Sequence, residues 1–178
     1  MKQLLLTLSL LIFGTSEAAP NPVVTINTSV GDIDIELLAK ESPISVNNFL
    51  AYVNSGYYDG VIFHRVMPDF IVQAGGVLPS GKEKPERPPI KNEAANGLHN
   101  NRGTVAMARP PTVDGATSHF FINVNDNLFL DHSEKDYGYA VFGKVVRGMD
   151  VADKMTTLPI KNESPITPII INKITVKK

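Results

Sequence analysis

The chain contains no cysteine and no tryptophan. The first absence excludes disulfides, thiolate metal sites, thiol nucleophiles and lipid attachment through a cysteine. The second removes a common aromatic anchor, so an apolar recognition surface must draw on 8 Phe, 5 Tyr and 5 Met. Nor does one sign of charge dominate: 17 Lys and Arg stand against 18 Asp and Glu, a formal net charge of −1. Balanced, interspersed charge argues against a dedicated nucleic-acid or anionic-membrane partner. Long apolar runs are also missing. The stretch from Leu4 to Phe13, interrupted by Thr7 and Ser9, falls well short of the ~20 residues that span a bilayer.

That short run has a different meaning. It follows Lys2 and ends at Gly14, and Ser16-Glu17-Ala18 places small residues where a signal peptidase inspects the chain. The pattern is that of a cleavable secretory signal over residues 1–18, leaving a mature domain over residues 19–178. A domain of that size buries roughly two thirds of its unfolded surface and needs no metal or disulfide staple. The expected product is a soluble monomer with no stable membrane insertion after cleavage. Export without cysteines fits a bacterial periplasm, and release outside the cell fits the same signal.

Beyond Val23 short β-like stretches dominate. Residues 23–27 and 33–37 flank a Ser29-Val30-Gly31 turn, and Ile33, Ile35 and Leu37 alternate with Asp32, Asp34 and Glu36, which predicts a hairpin with one buried face. Ser42-Pro43 predicts a helix start, with Ser42 as side-chain cap and Pro43 at the first helical position. Val46, Phe49, Leu50 and Val53 then follow helical spacing up to Gly56. Further strands are predicted at 61–66, 70–74, 103–108, 119–124, 139–146 and 169–176, and a second helix at 149–155, followed by a loop with Pro159, Pro165 and Pro168. Eight strands and two helices predict a mainly β fold: an eight-stranded antiparallel barrel, closed so that no edge is exposed, with two helices. Stretches 78–92 and 125–138 are long and irregular, as functional connections often are.

Elimination narrows the chemistry. His64, His99, His119 and His132 lack metal-ligand spacing, no serine sits in a strand-turn-helix elbow, and Gly75-Gly76 leads into proline-rich sequence, not a phosphate-cradling helix. What remains is on the outer faces of strands. Phe120, Ile122 and Val124 make an inward set, leaving His119, Phe121 and Asn123 outward. Val105 and Met107 point inward, leaving Thr104, Ala106 and Ala108 as a small, smooth outer surface. In 61–66, alternation puts Phe63 and Arg65 on one face. An outward Phe beside small residues and an arginine suits a shallow apolar recognition site. Periodicity is equally compatible with Phe121 lying under a loop and Arg65 making a surface ion pair. The inward set is bulky enough to fill a small barrel, which disfavours a hollow ligand carrier.

Four blocks identify a family. Residues 63–76 read FHRVMPDFIVQAGG, followed in order by GTVAMA at 103–108, SHFFIN at 118–123 and VFGK at 141–144. They closely resemble the cyclophilins, the peptidyl-prolyl cis-trans isomerases, and with the leader and the FLDH…DYGYAVFGKVV stretch most resemble the periplasmic, rotamase A type of Gram-negative bacteria. The resemblance implies the eight-stranded barrel capped by two helices, an isomerase that uses no cofactor and no metal, and partners that are proline-containing peptides and unfolded envelope proteins. It implies Arg65 as the catalytic arginine and Gln73 as the residue orienting it. Phe70, Ile71, Phe121 and Leu130 become walls of the proline pocket, with Ile71 where many members have methionine. Ala108 and Arg109 fall where the substrate chain binds, with His119 on the same side. Phe129 replaces the tryptophan, and Tyr139 the histidine, of many eukaryotic members, which implies altered substrate preference and weak cyclosporin binding. A module that holds proline segments without turnover is the alternative. The pairing of Arg65 with Gln73 favours the enzyme, because binding alone needs only the apolar pocket.

Overall fold

The alternation that predicted the first hairpin is the start of the main sheet. In the computed structural model, which describes residues 20–177, β1 (Val23–Thr28) and β2 (Gly31–Leu37) pair antiparallel, Val24 opposite Ile35 and Ile26 opposite Ile33. Those four apolar side chains are fully buried. The expected leader lies outside the described residues. After helix α1 (Pro43–Asn54) come β3 (Phe63–Met67), β4 (Ile71–Ala74), β5 (Thr104–Met107), β6 (Phe120–Asn123) and β7 (Val141–Arg147). Helix α2 (Met149–Thr157), a short hairpin of β8 (Ile160–Lys161) and β9 (Ser164–Pro165), and β10 (Ile171–Val176) complete the described chain. Eight strands form one antiparallel sheet in the order β10-β1-β2-β7-β5-β6-β4-β3.

The expectation of full closure is corrected at one seam. The end strands β3 and β10 meet through a lone bridge between Ile62 and Ile170. Three backbone bonds flank it, from Gly60 to Ile171, Phe63 to Ile169 and Ile171 to Val61. The barrel is therefore open along a seam that lacks a continuous ladder. Its interior is filled by side chains from every strand of the main sheet and from both helices, and around Phe120 the ring centroids of Phe49, Tyr58 and Phe63 lie 5.3, 5.5 and 6.4 Å away, all near edge-on. Such edge-to-face pairs add to the burial of the rings themselves. Helix α1 packs against β7 and β10, and α2 against β2, β3 and β4.

Helix α1 begins at Pro43 as expected, but its cap differs. Ser42 Oγ makes no bond to the first turn; it donates instead to the Val141 carbonyl at 2.6 Å. The open N–H groups of Ile44 and Ser45 are taken by the Glu93 carboxylate at 3.0 and 2.8 Å. A carboxylate there also complements the helix dipole. Alternation in β3 fails at a register shift between Phe63 and Arg65. The bulge turns Phe63 into the core and leaves Arg65 outside, so the two do not share a face as the sequence implied. The β8–β9 hairpin lies where a plain proline loop was expected, since two-residue strands leave no periodic trace.

On the outer face of β2, Asp34 is buried and accepts bonds from Arg147 Nε and Lys177 Nζ, both at 2.5 Å, and from Thr25 Oγ1 at 2.7 Å. The Arg147 bond chiefly, against burial and helped by Lys177 and Thr25, holds this carboxyl well below the ordinary range. A depressed carboxyl pKa stabilises the fold above its unfolded value near 3.9 and loses that contribution as pH falls through the folded value. Asp34→Ala is expected to cost about 2 kcal/mol at pH 7. Thermal melts should show the wild-type advantage shrinking progressively below about pH 4. A gap between the two melting curves that stays constant from pH 7 to pH 2 would count against this.

Candidate active site

The pleat of β5 and β6 sends side chains to two different places. Val105, Met107, Phe120 and Ile122 enter the barrel core, while Ala106 and Phe121 join Ile71 and Val141 in a second, outer apolar cluster. Phe70, Ala108, Leu130 and Tyr139 pack around that cluster. Phe121 is only 2% exposed, so the outward ring lies beneath neighbours and also lines a site. The Tyr139 ring meets it edge-on, centroids 5.8 Å apart.

Nine of the eleven residues singled out from sequence line one pocket of about 170 Å³: Arg65, Phe70, Ile71, Gln73, Ala108, Arg109, Phe121, Leu130 and Tyr139. His119 and Phe129 do not. His119 lies in an adjoining depression of about 370 Å³ that shares Gln73, Ala108 and Arg109 with the first and adds Glu83 and Glu86. Phe129, 72% exposed, stacks on the outer side of Phe70 with centroids 5.6 Å apart and planes at 21°.

Two arginines reach the pocket, and their hydrogen bonds distinguish them. Arg109 is spent on its own chain. Its Nε donates to the Gly138 carbonyl at 2.9 Å and its terminal nitrogens to Pro110, Pro111 and Asp136. Its guanidinium also lies 4.8 Å from the Tyr139 ring centroid. Arg65 stands opposite Gln73 in the β3–β4 register, but the bond its side chain makes among the described residues is from Nε to Glu163 Oε2, at 2.7 Å. The surface ion pair that periodicity left open is therefore present. It engages Nε, and among the described residues the two terminal nitrogens of Arg65, a residue lining the pocket, have no acceptor. Among the described residues Gln73 makes no hydrogen bond to the Arg65 side chain, whose partner there is Glu163.

A polar layer that sequence reasoning missed supports the walls. Asn127 Nδ2 donates to the Phe70 carbonyl at 2.9 Å and to Asn123 Oδ1 at 2.8 Å. Asn123, fully buried, donates to Asn100 Oδ1 and Thr104 Oγ1. Asn100 in turn donates to Asp131 and to the Tyr139 carbonyl. Burial opposes ionisation of Asp131, but bonds from Asn100 and His99 hold its carboxyl below the usual value. This network ties the backbone carbonyls of Phe70 and Tyr139 to Asn123 of β6. The polar character of 125–138 was visible in sequence, but its pairing with Asn100 was not.

Behind Arg65, His64 and His119 rings meet edge-on at 5.1 Å. Burial first, then the neighbouring His119, lowers the His64 pKa to about 4, so this ring is neutral at pH 7. Gly75 and Gly76 serve close approach here: a Cβ at Gly75 would sit 2.4 Å from the His119 ring, and one at Gly76 2.2 Å from the Tyr57 hydroxyl.

A seamed eight-stranded antiparallel barrel whose outer face carries an apolar pocket flanked by an arginine defines a cyclophilin-like protein. The sequence model of the cyclophilin type peptidyl-prolyl cis-trans isomerases matches residues 23–176. Peptidyl-prolyl cis-trans isomerase A of Dickeya dadantii is 51% identical over 177 residues, covering 96% of this chain and 93% of that protein. Peptidyl-prolyl cis-trans isomerase B of Escherichia coli is 44% identical over 88% of this chain and its own full length. The crystal structure of a cyclophilin type isomerase from Cryptosporidium parvum superposes with a TM-score of 0.79 at 30% identity, covering 89% of this chain and 98% of that one. The chain belongs to the cyclophilin-type peptidyl-prolyl cis-trans isomerases.

Proposed function

We propose that this isomerase acts as a monomer on proteins exported with it to the periplasm, accelerating rotation about X–Pro bonds as envelope proteins fold. The proline ring enters the notch between Phe70, Phe121 and Leu130. Arg65 acts on the prolyl nitrogen, Gln73 lies beside it, and Ala108, Arg109 and Tyr139 bound the substrate chain. His119 and Phe129 extend the surface on either side.

Rotation about a peptide bond faces about 18–20 kcal/mol because the nitrogen lone pair is delocalised into the carbonyl. Uncatalysed prolyl isomerisation therefore takes on the order of tens of seconds. No bond breaks, so the chemistry requires neither nucleophile nor proton transfer. In the twisted transition state the lone pair returns to nitrogen, which becomes a hydrogen-bond acceptor. A guanidinium placed there interacts more strongly with the twisted than with the planar amide, which is the condition for catalysis. One charge-assisted bond contributes about 1.5–3 kcal/mol, whereas five decades of acceleration require about 7 kcal/mol. Holding the ring against Phe121 and transferring the more polar planar amide out of water supply the remainder.

The observation that carries this reading is the contrast between the two pocket arginines: among the described residues the terminal donors of Arg65 have no acceptor, while those of Arg109 are engaged. Exchange spectroscopy on a short X–Pro peptide tests the chemistry, with line broadening expected at catalytic enzyme concentrations. Export is tested separately. The protein recovered from the periplasmic fraction should begin at Ala19, and an uncleaved cytoplasmic chain would contradict it.

A further inference from the structure

The β8–β9 hairpin has no part in the pocket itself, yet it reaches the pocket's arginine from 98 residues away. Its two-residue turn, Asn162-Glu163, holds both residues in the left-handed region, at φ 51° and 62°. That is the geometry of tight hairpin turns, where glycine and asparagine are favoured. Asn162 fits that preference, whereas Glu163 does not. A long side chain held at positive φ carries a conformational cost, and such outliers gather where the side chain is used.

The Glu163 side chain has one hydrogen-bond partner among the described residues, Arg65 Nε at 2.7 Å. Its backbone carbonyl accepts from the N–H of Val66 at 2.6 Å, so the turn is attached to β3 at the residue following Arg65. Backbone and side chain of Glu163 thus hold β3 and its guanidinium together. The pair is half-open to solvent, at 38% and 49% side-chain exposure. An ion pair that exposed contributes little to stability. Its measurable consequence is where it leaves the guanidinium.

Resting on the assignment of Arg65 as the catalytic cation, we propose that Glu163 is a positioning residue for isomerisation: its carboxylate fixes the Arg65 fork by Nε so that the terminal N–H groups face the pocket.

A merely structural role and a positioning role separate cleanly at Glu163→Gly. Glycine relieves the positive-φ cost and removes the carboxylate. Melting temperature is therefore expected to hold or rise by a few degrees, to the extent that a compatible residue removes roughly 1 kcal/mol of strain. Turnover of an X–Pro peptide is expected to fall about tenfold, in kcat more than in KM, because binding in the apolar notch is untouched while the cation loses its orientation. Glu163→Gln, which keeps an acceptor without the charge, should recover part of the loss. In an Arg65→Ala background, Glu163→Gly should change the rate no further.

Undiminished turnover in Glu163→Gly, or an equal loss with Arg65 already removed, overturns the proposal. Arg65→Ala measured alone separates the two claims. If it retains full activity, the catalytic assignment fails and this inference with it. If it is slow while Glu163→Gly matches wild type, the assignment stands and only the positioning role is lost.

Discussion

Arg65→Ala is expected to lower kcat/KM for an X–Pro peptide by about one to two decades, the equivalent of one charge-assisted hydrogen bond at 1.36 kcal/mol per decade. The loss should lie in kcat, since the donor acts on a nitrogen that becomes an acceptor only during rotation. The fold should survive. Arg65 is on an outer face, and its ion pair with Glu163 is solvent-exposed on both sides. Arg65→Lys should restore little, because a point charge on a flexible stem cannot be held at Nε while donating from a second nitrogen. A near-normal kcat with a raised KM would show instead that the arginine binds substrate without acting on the rotating bond.

The second large effect separates two adjacent residues. Phe120→Ala removes a ring whose neighbours are Phe49, Tyr58 and Phe63, and a core Phe→Ala change costs about 3–5 kcal/mol. For a domain of this size that corresponds to a melting-temperature drop of roughly 6–20 °C. Phe121→Ala, one residue on, takes away a pocket wall. Its stability cost should be smaller, since it packs in the small outer cluster with Ile71, Ala106 and Val141 and not in the barrel core. Its kcat/KM should fall by about tenfold from lost apolar contact with the proline ring. Equal stability losses at the two positions would mean that the outer cluster belongs to the core.

That contrast was legible in sequence because the strand period is two. Alternation placed Phe120, Ile122, Val105 and Met107 inside, and Phe121, Ala106 and Ala108 outside. The helical spacing of Val46, Phe49 and Val53 located α1 in the same way. Reading failed where one residue is inserted. The bulge between Phe63 and Arg65 reverses the facing of half a strand without altering composition. It also failed at Ser42, whose cap position was right but whose hydroxyl serves Val141 while Glu93 satisfies the helix.

Local periodicity and an ordered set of motif blocks sufficed to define the eight strands of the main sheet, the family and nine of the residues around one pocket, because each is a property of a short contiguous stretch. Contacts between distant stretches were decided only by the tertiary structure. Glu163 reaches Arg65 across the seam side of the barrel, Asn100 reaches Asn123 and Asp131 beneath the pocket, and Arg109 is engaged by a loop that folds back onto it. A side chain's partner depends on which surfaces the folded chain brings within about 3 Å of it, and that proximity has no signature in residue order.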